Sequence, residues 1–477
     1  MSLFLHGVET IELKNGLITI QAVKSAIIGL VGIAPKGPAN SLTLVQSQSD
    51  ADQFGEQLTG FSIPQAIASI QAQGDSTVFV VNVFDPATMT TAVAAESVVV
   101  NNRQAKLAFA PVGTAAPVVT DATAATTYVA GTDYTIDDFG NILVLAAIGT
   151  IAEGATLKVT YAKLNGAAVT SATIIGTNNG GVRTGFKCFL DAYNQLGAKP
   201  KILIAPGYSS LNAVAVDMLS NADYYRAYAL IDAPTGTTVD AAINGRGPAG
   251  TINFNTSSKR AILLEPGNMQ AYDPATDSTV NRPYSAFYAG VMSEQDNTNG
   301  YWFSPSNCEI KGVLGSEIPI TAAINDPNTE ANALNAQGIV TVFNSGASGI
   351  RTWGNRSAAF PSTTDPVNFI SVGRTADIVH ESIEEAMLPF VDLPITNGVI
   401  DSIKQSVQAF INVLIGRGAL EVGSAITYDP ALNPPTQVAA GQLVFSLTFM
   451  PPPPLERITF NSFIDVSLLK SIGQPTV

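Results

Sequence analysis

The side chains that could do chemistry are few and scattered. The chain has two histidines, His6 and His380, and two cysteines, Cys188 and Cys308. A Ser-His-Asp arrangement would have to take its general base from the N-terminal segment or from a helix-like run near the C-terminus, outside the stretch that reads as an α/β core. The nucleophile-elbow pattern G-x-S-x-G is absent, and Gly346-Ala347-Ser348-Gly349 misses it by one position. Gly245-Arg246-Gly247-Pro248-Ala249-Gly250 fits G-x-G-x-x-G by letter. It follows a helix-like segment and precedes the strand-like Thr251 to Phe254, whereas a dinucleotide fold needs the pyrophosphate on the helix that follows the glycines, so it reads as a loop. Gly29-Leu30-Val31-Gly32 has no Walker lysine in register, and Lys36 precedes Gly37 where a phosphate-binding loop places Ser or Thr. The densest carboxylate group is Glu381, Glu384 and Glu385. With no histidine or cysteine set around it, it predicts a solvated helix face or a charged docking face for a partner, not a metal site. No catalytic residue, cofactor or metal is expected.

Composition turns the question from chemistry to assembly. At 477 residues the chain exceeds the ~250–300 at which single cores stop growing, which predicts about two to four domains. Charged residues make up 13% of the chain against ~25% in typical soluble proteins, too few for an ordinary monomer surface. Burial in an assembly accounts for this; a large α/β enzyme with a neutral Ser/Thr/Asn exterior is the alternative. The net charge of −14 repels phosphate backbones, and no basic run interleaved with aromatics occurs, so nucleic acid is not an expected partner. The separated cysteines suit reduced, packed thiols of a protein assembled in a cytoplasm, with a mutual disulfide as the other option. The N-terminus lacks a basic region followed by an apolar one, so it does not read as a secretion signal. The longest apolar stretch, Ala26 to Ala34, is broken by Gly29 and Gly32 and falls short of the ~20 residues of a membrane span, so no membrane insertion is expected.

Short β-branched runs at Ala26 to Ala34, Thr77 to Val83, Lys201 to Ala205, Ala227 to Ile231 and Ala261 to Leu264 read as buried strands. Between them Ile63 to Gln73, Gly185 to Gln195 and Leu211 to Ala222 read as helices, which predicts a mostly parallel sheet covered on both faces. From Pro86 to Thr173 strand follows strand: Glu96 to Val100, Lys106 to Ala110, Tyr128 to Val129, Tyr134 to Ile136, Asn141 to Ala146 and Thr156 to Tyr161. This predicts an inserted all-β domain whose entry and exit lie close together.

From Ile370 the texture changes to two amphipathic helices, Arg374 to Phe390 and Asn397 to Arg417, followed by strands. Leu443, Phe445, Leu447 and Phe449 share one face of a strand. Pro451 to Pro454 cannot join a ladder and predicts an extended spacer. Beyond it Ile458, Phe460, Ile464, Val466 and Leu468 again alternate at period two. The N-terminal segment makes a similar offer through Val8, Ile11, Leu13, Leu17, Ile18 and Ile20, although Asn15-Gly16 could also fold it into a hairpin on itself. Strand-like ends of this kind predict strand exchange with other copies of the chain.

This texture resembles the sheath proteins of contractile phage tails and of related R-type bacteriocin and contractile injection particles. The matching strings are Gly373-Arg374-Thr375-Ala376-Asp377, Pro389-Phe390-Val391, Gly416-Arg417-Gly418-Ala419-Leu420, Tyr428-Asp429-Pro430, Ala440-Gly441-Gln442-Leu443-Val444-Phe445 and Pro451 to Arg457, with Ile350-Arg351-Thr352-Trp353-Gly354 and Tyr301-Trp302-Phe303-Ser304-Pro305 upstream. The resemblance implies a subtilisin-like central α/β domain without protease activity, an inserted β-rich domain and an α+β C-terminal domain. In those terms the chain divides into an N-terminal arm 1–22, a discontinuous central domain 23–85 and 174–365, an insert 86–173, a C-terminal domain 366–457 and a C-terminal arm 458–477. It further implies hexameric rings stacked helically around an inner tail tube, with baseplate and tail terminator proteins as further partners, in a virion tail or phage-derived particle assembled in the host cytoplasm. The arms would add strands to a neighbour's sheet containing Leu443 to Phe449, and the tube-facing surface would lie in the C-terminal domain; the helix Arg374 to Phe390, which carries Glu381, Glu384 and Glu385, is the candidate for it. An α/β hydrolase-like enzyme and a β-rich surface adhesin are the rival readings.

Overall fold

The computed structural model describes residues 19–471 apart from 114, 138, 139, 274, 275 and 347. Its centre is an eight-stranded sheet built from β1 (Ile27–Gly32), β2 (Leu42–Val45), β3 (Thr77–Asn82), β4 (Ile202–Ile204), β5 (Tyr228–Asp232), β6 (Ala261–Leu264), β7 (Ile339–Asn344) and β8 (Ile350–Trp353). The order is β2-β3-β1-β4-β5-β6-β7-β8, parallel throughout except for the antiparallel edge strands β2 and β8. Strands covered on both faces need no polar side, which is why they appear in the sequence as unbroken apolar runs.

Alternate residues feed different cores. Ile28, Leu30, Val78, Val80, Ile202 and Ile204 face one layer, and Ile27, Val31, Phe79, Val81 and Leu203 face the other. On the first face lie α1 (Ile63–Gln71) and α3 (Tyr284–Thr298), and on the second lies α2 (Asn212–Tyr225). A side chain at Gly290 of α3 would stand 2.8 Å from the Ile70 carbonyl oxygen, so only glycine allows α1 and α3 this close an approach. Gly185 to Gln195, expected to be one helix, is a 3₁₀ stretch Gly185–Asp191 followed by a short helix Ala192–Leu196. The glycine-rich 245–250 segment is a loop, but Thr251 to Phe254 forms no strand. The Arg246 guanidinium instead ties that region together by donating to the carbonyls of Phe254 (2.7 Å) and Ala358 (2.7 Å).

The chain leaves this body after β3 and returns before β4. Strands Thr90–Val99 and Thr156–Leu164 pair antiparallel, with Thr90 opposite Leu164, so entry and exit are neighbours. The excursion holds a four-stranded and a three-stranded sheet around their own core, which includes Val119, Tyr134, Leu143, Leu157 and Val159. Both cysteines are free thiols, and burial pushes Cys188 up to about 11. Glu265, just after β6, is 1% exposed, and neither carboxylate oxygen has a hydrogen-bond partner. Burial, and then the nearby Glu317, push its carboxyl up to about 8.

Two outcomes follow. A carboxyl raised in the folded state favours folding at acid pH and loses that contribution as pH climbs from its ordinary value of 4.5 through about 8. The wild-type melting temperature should therefore drop between pH 5 and pH 9 by more than that of Glu265→Gln, and parallel curves would show that the carboxyl does not titrate there. Separately, replacing residues 91–163 by an Asn-Gly turn that joins the paired positions Thr90 and Leu164 should leave a folded body. Circular dichroism and a single cooperative melt check this.

Candidate inter-subunit interface

The C-terminal part is organised by two long helices, α4 (Ile370–Met387) and α5 (Asn397–Gly416). They pack through Ile378, Val379, Val407, Phe410, Ile411 and Leu414 into a separate core. On that core rests a two-stranded antiparallel sheet, β9 (Ala425–Thr427) and β10 (Ser446–Thr448), with Ile426 opposite Leu447. β10 is shorter than the expected strand, yet Phe445, Leu447 and Phe449 keep the predicted alternation and pack half-buried on the core, while Leu443 lies outside the ladder. The Gln408 side chain of α5 accepts from the Ile426 N–H at 3.1 Å, which occupies part of the outer side of β9. The outer edge of β10 has no ladder partner among the described residues.

Past β10 the chain runs extended across the body. The Glu421 N–H donates to the Met450 carbonyl at 2.8 Å, Pro451 is buried, and Arg356 holds Glu456 through a two-pronged pair at 2.9 and 2.6 Å. The tetraproline, expected to be a connector between a domain and a departing strand, is thus fastened at both ends. After Glu456 the chain comes free: Ile458, Phe460 and Ile464 are exposed, the last at 91%, and no strand forms. Val466 and Leu468 are exposed too, but they lie in a 3₁₀ turn, Val466–Ser471, so the predicted strand does not run unbroken to Leu468. Of the N-terminal positions, Val8, Ile11, Leu13, Leu17 and Ile18 lie outside the described residues. Ile20 is buried in the same core as α4 and α5, an intramolecular contact where an inter-subunit one was expected. The Val23 N–H then donates to Ser382 Oγ at 3.0 Å, and Arg374 donates to the Ser25 carbonyl at 3.2 Å.

The carboxylate cluster on α4 needs correction. Glu381 is buried and pairs with Lys201, whose Nζ also donates to the Tyr225 carbonyl at 2.9 Å. One turn earlier Asp377 pairs with Arg260, and one turn before that Arg374 pairs with Asp296 of α3 at 2.8 Å; all four side chains are buried. Glu384 is exposed but clasped by Arg226 at 2.9 and 2.7 Å. Glu385 alone of the three is exposed with no ion pair among the described residues. The acidic face is therefore mostly an internal seam between α4 and the central sheet. Sequence alone marked the acidic partners but gave no sign that Lys201, Arg226 and Arg260, far away in the chain, would meet them. His380 stands edge-on to Phe449, with ring centroids 5.4 Å apart, and among the described residues no group of His, Cys, Asp and Glu could hold a metal ion.

Comparison with known proteins matches residues 181–358 to the phage tail sheath protein central domain and residues 362–465 to the phage tail sheath C-terminal domain. The tail sheath protein of Burkholderia phage BcepMu is 46% identical over 473 residues, 98% of each chain. A putative prophage major tail sheath protein of Pseudomonas aeruginosa is 34% identical over 61% of this chain and 72% of its own length. Among solved structures, the helical sheath of the anti-feeding prophage in its contracted state superposes with a TM-score of 0.61 at 16% identity, covering 97% of this chain and 100% of that one.

The seam and the exposed face respond differently to charge reversal. Glu381→Lys sets a cation beside buried Lys201, with the half-exposed Lys199 also close by, and should cost on the order of 3–5 kcal/mol, whereas Glu385→Lys should stay within about 0.5 kcal/mol. Thermal unfolding of the purified subunits separates the two, and equal melting temperatures would remove the seam as a structural element.

Proposed function

The chain belongs to the phage tail sheath family, and from that premise we propose a working cycle for it. Copies polymerise as stacked six-fold rings around an inner tube and contract to drive the tube through a target envelope. Neighbours stay joined because the segment beyond Glu456, and the segment before Thr19, add strands to the β9–β10 sheet of another copy. The observation that carries this reading is the pairing of an exposed, unpaired apolar segment at 458–464 with an open ladder edge on the same molecule. An apolar segment with backbone groups unpaired is a strand lacking its sheet, and β10 is a sheet lacking a strand. Each strand added contributes several hydrogen bonds at ~0.5–1.5 kcal/mol net apiece, besides its apolar side chains. Such a link holds while weaker body-to-body contacts exchange.

In this reading the units are an arm 1–22, a subtilisin-like central domain 23–85 and 174–365, an insert 86–173 that projects away from packed surfaces, a C-terminal domain 366–457 and an arm 458–477. The chain works mechanically and turns over no substrate. Baseplate and terminator proteins cap the array, and assembly takes place in the host cytoplasm. The tube-facing surface is placed at the outer end of α4, where Glu385 is followed by Leu388 and Val391, exposed at 65% and 62%. Glu381 has no part in it, because it is spent on Lys201.

Deleting Arg457 to Val477 tests the link directly. The truncated chain should melt within a degree or so of the full one, since residues 457–468 are almost all exposed, yet it should stay as separate subunits in negative-stain microscopy. Striated cylinders formed by the truncated chain would refute strand addition by this segment.

A further inference from the structure

The strand order reverses direction between β1 and β4: the chain passes from β1 to β2 and β3 on one side of the sheet, then continues through β4 to β8 on the other. In open α/β sheets the crevice beyond the carboxyl ends of two such strands is the one place where no connection crosses, and ligands bind there. Here that crevice is a cavity of about 310 Å³, lined by Ile33 beyond β1, Pro206 and Tyr208 beyond β4, Phe61 before α1, Ala286 of α3, and Arg282. The volume sits at the lower end of small-ligand pockets.

Arg282 gives the cavity its chemistry. Its side chain is buried at 6% exposure, and its charge has no carboxylate within ion-pair distance among the described residues. One Nη donates to the Gln57 side chain at 2.7 Å, while the buried Nε has no partner. Asp273 acts on it only through space, and burial still opposes the charged form. The other buried arginines among the described residues, Arg260 and Arg374, each have a carboxylate of their own. A guanidinium in an apolar cleft, short of one anion, matches a carboxylate in donor geometry. Ser62 and Gln65, at the start of α1, line the cleft beside it, while the Ile63 N–H is already taken by the Ile33 carbonyl at 2.9 Å.

We propose that this crevice binds a carboxylate carried on a short apolar body, with the carboxylate on Arg282 and the body against Ile33, Phe61 and Pro206. The carboxylate comes either from a free organic acid or from an acidic side chain of a neighbouring copy. Neither source bears on strand addition, so failure here leaves the proposed function untouched, and the reverse also holds.

The test uses hexanoate and hexanol with the purified full chain. Calorimetric titration should give hexanoate binding on the order of millimolar, with hexanol about tenfold weaker or undetected. Arg282→Met should weaken hexanoate by about tenfold or more. Gln65→Phe, which fills the cleft and leaves Arg282 in place, should abolish it, so a folding defect in the arginine variant does not decide the matter. Equal binding of hexanoate and hexanol, or hexanoate binding unchanged in both variants, overturns the proposal. Sheath assembly followed by microscopy then assigns the source: inhibition by hexanoate and by Gln65→Phe identifies a neighbour's side chain, and indifference to both identifies a free acid.

Discussion

The buried ion pairs along α4 are the constraint on which the rest depends. Arg374 with Asp296, Asp377 with Arg260, and Glu381 with Lys201 fall on successive turns of one helix, and each reaches a different element of the central body. A buried pair of this kind contributes little net stability compared with apolar side chains of the same size, but removing one partner leaves an uncompensated charge in a dry site. Such pairs therefore specify a position more than they strengthen it. For α4 they fix register as well as contact, since a shift by one turn would set Arg374 against Arg260 or Asp377 against Asp296 and leave another group without its partner. Gly373 adds a steric stop: a side chain there would collide with the Tyr228 hydroxyl and crowd the Val367 carbonyl at 3.0 Å.

Both chain ends take their bearings from this helix and its neighbourhood. Ile20 enters the α4–α5 core, and Val23 and Ser25 hydrogen-bond to Ser382 and Arg374. At the other end the proline run is held between Glu421 and Arg356 before the chain is released. Proline suits such a strap, because its fixed φ reduces the entropy lost on ordering and its missing N–H leaves no donor to satisfy. The apolar residues beyond Glu456 form no strand here because a strand's hydrogen bonds need a second backbone alongside, and among the described residues no ladder includes them.

The sequence made the sheet legible where strands are buried on both faces: Ala261–Leu264 coincides with the expected run, and Thr77–Asn82 differs from it by one residue. The insert was visible through its spacing of turns, although the strand Val118–Asp121 escaped notice among alanines and threonines. Helix α3 was not read at all. Its first ten residues, Tyr284 through Ser293, are all covered, so over that length it has no polar face and no period of 3.6 to detect. The acidic face of α4 failed for the opposite reason: it has a clean period, but periodicity cannot tell a carboxylate facing water from one facing a distant lysine. Arg374 falls within one of the matching strings, yet nothing local reveals that its partner lies on α3, 78 positions upstream.

The placement of these pairs bears on how load would pass through the subunit if its ends join neighbours as proposed. A pull on the C-terminal segment meets the Arg356–Glu456 clasp first, which is half exposed and open to screening by salt. Behind it lie the β9–β10 ladder and the apolar α4–α5 core, and behind those the α4 seam. A pull on the N-terminal segment reaches α4 sooner, through Ile20 and Val23. The two routes converge on one helix that is tied to the central body by charges water cannot easily reach, so tension between neighbours would be carried across the seam without opening the central sheet. The soft element in each route is the outermost one. Yielding would begin at an exposed clasp that can re-form, while the buried register of α4 is kept.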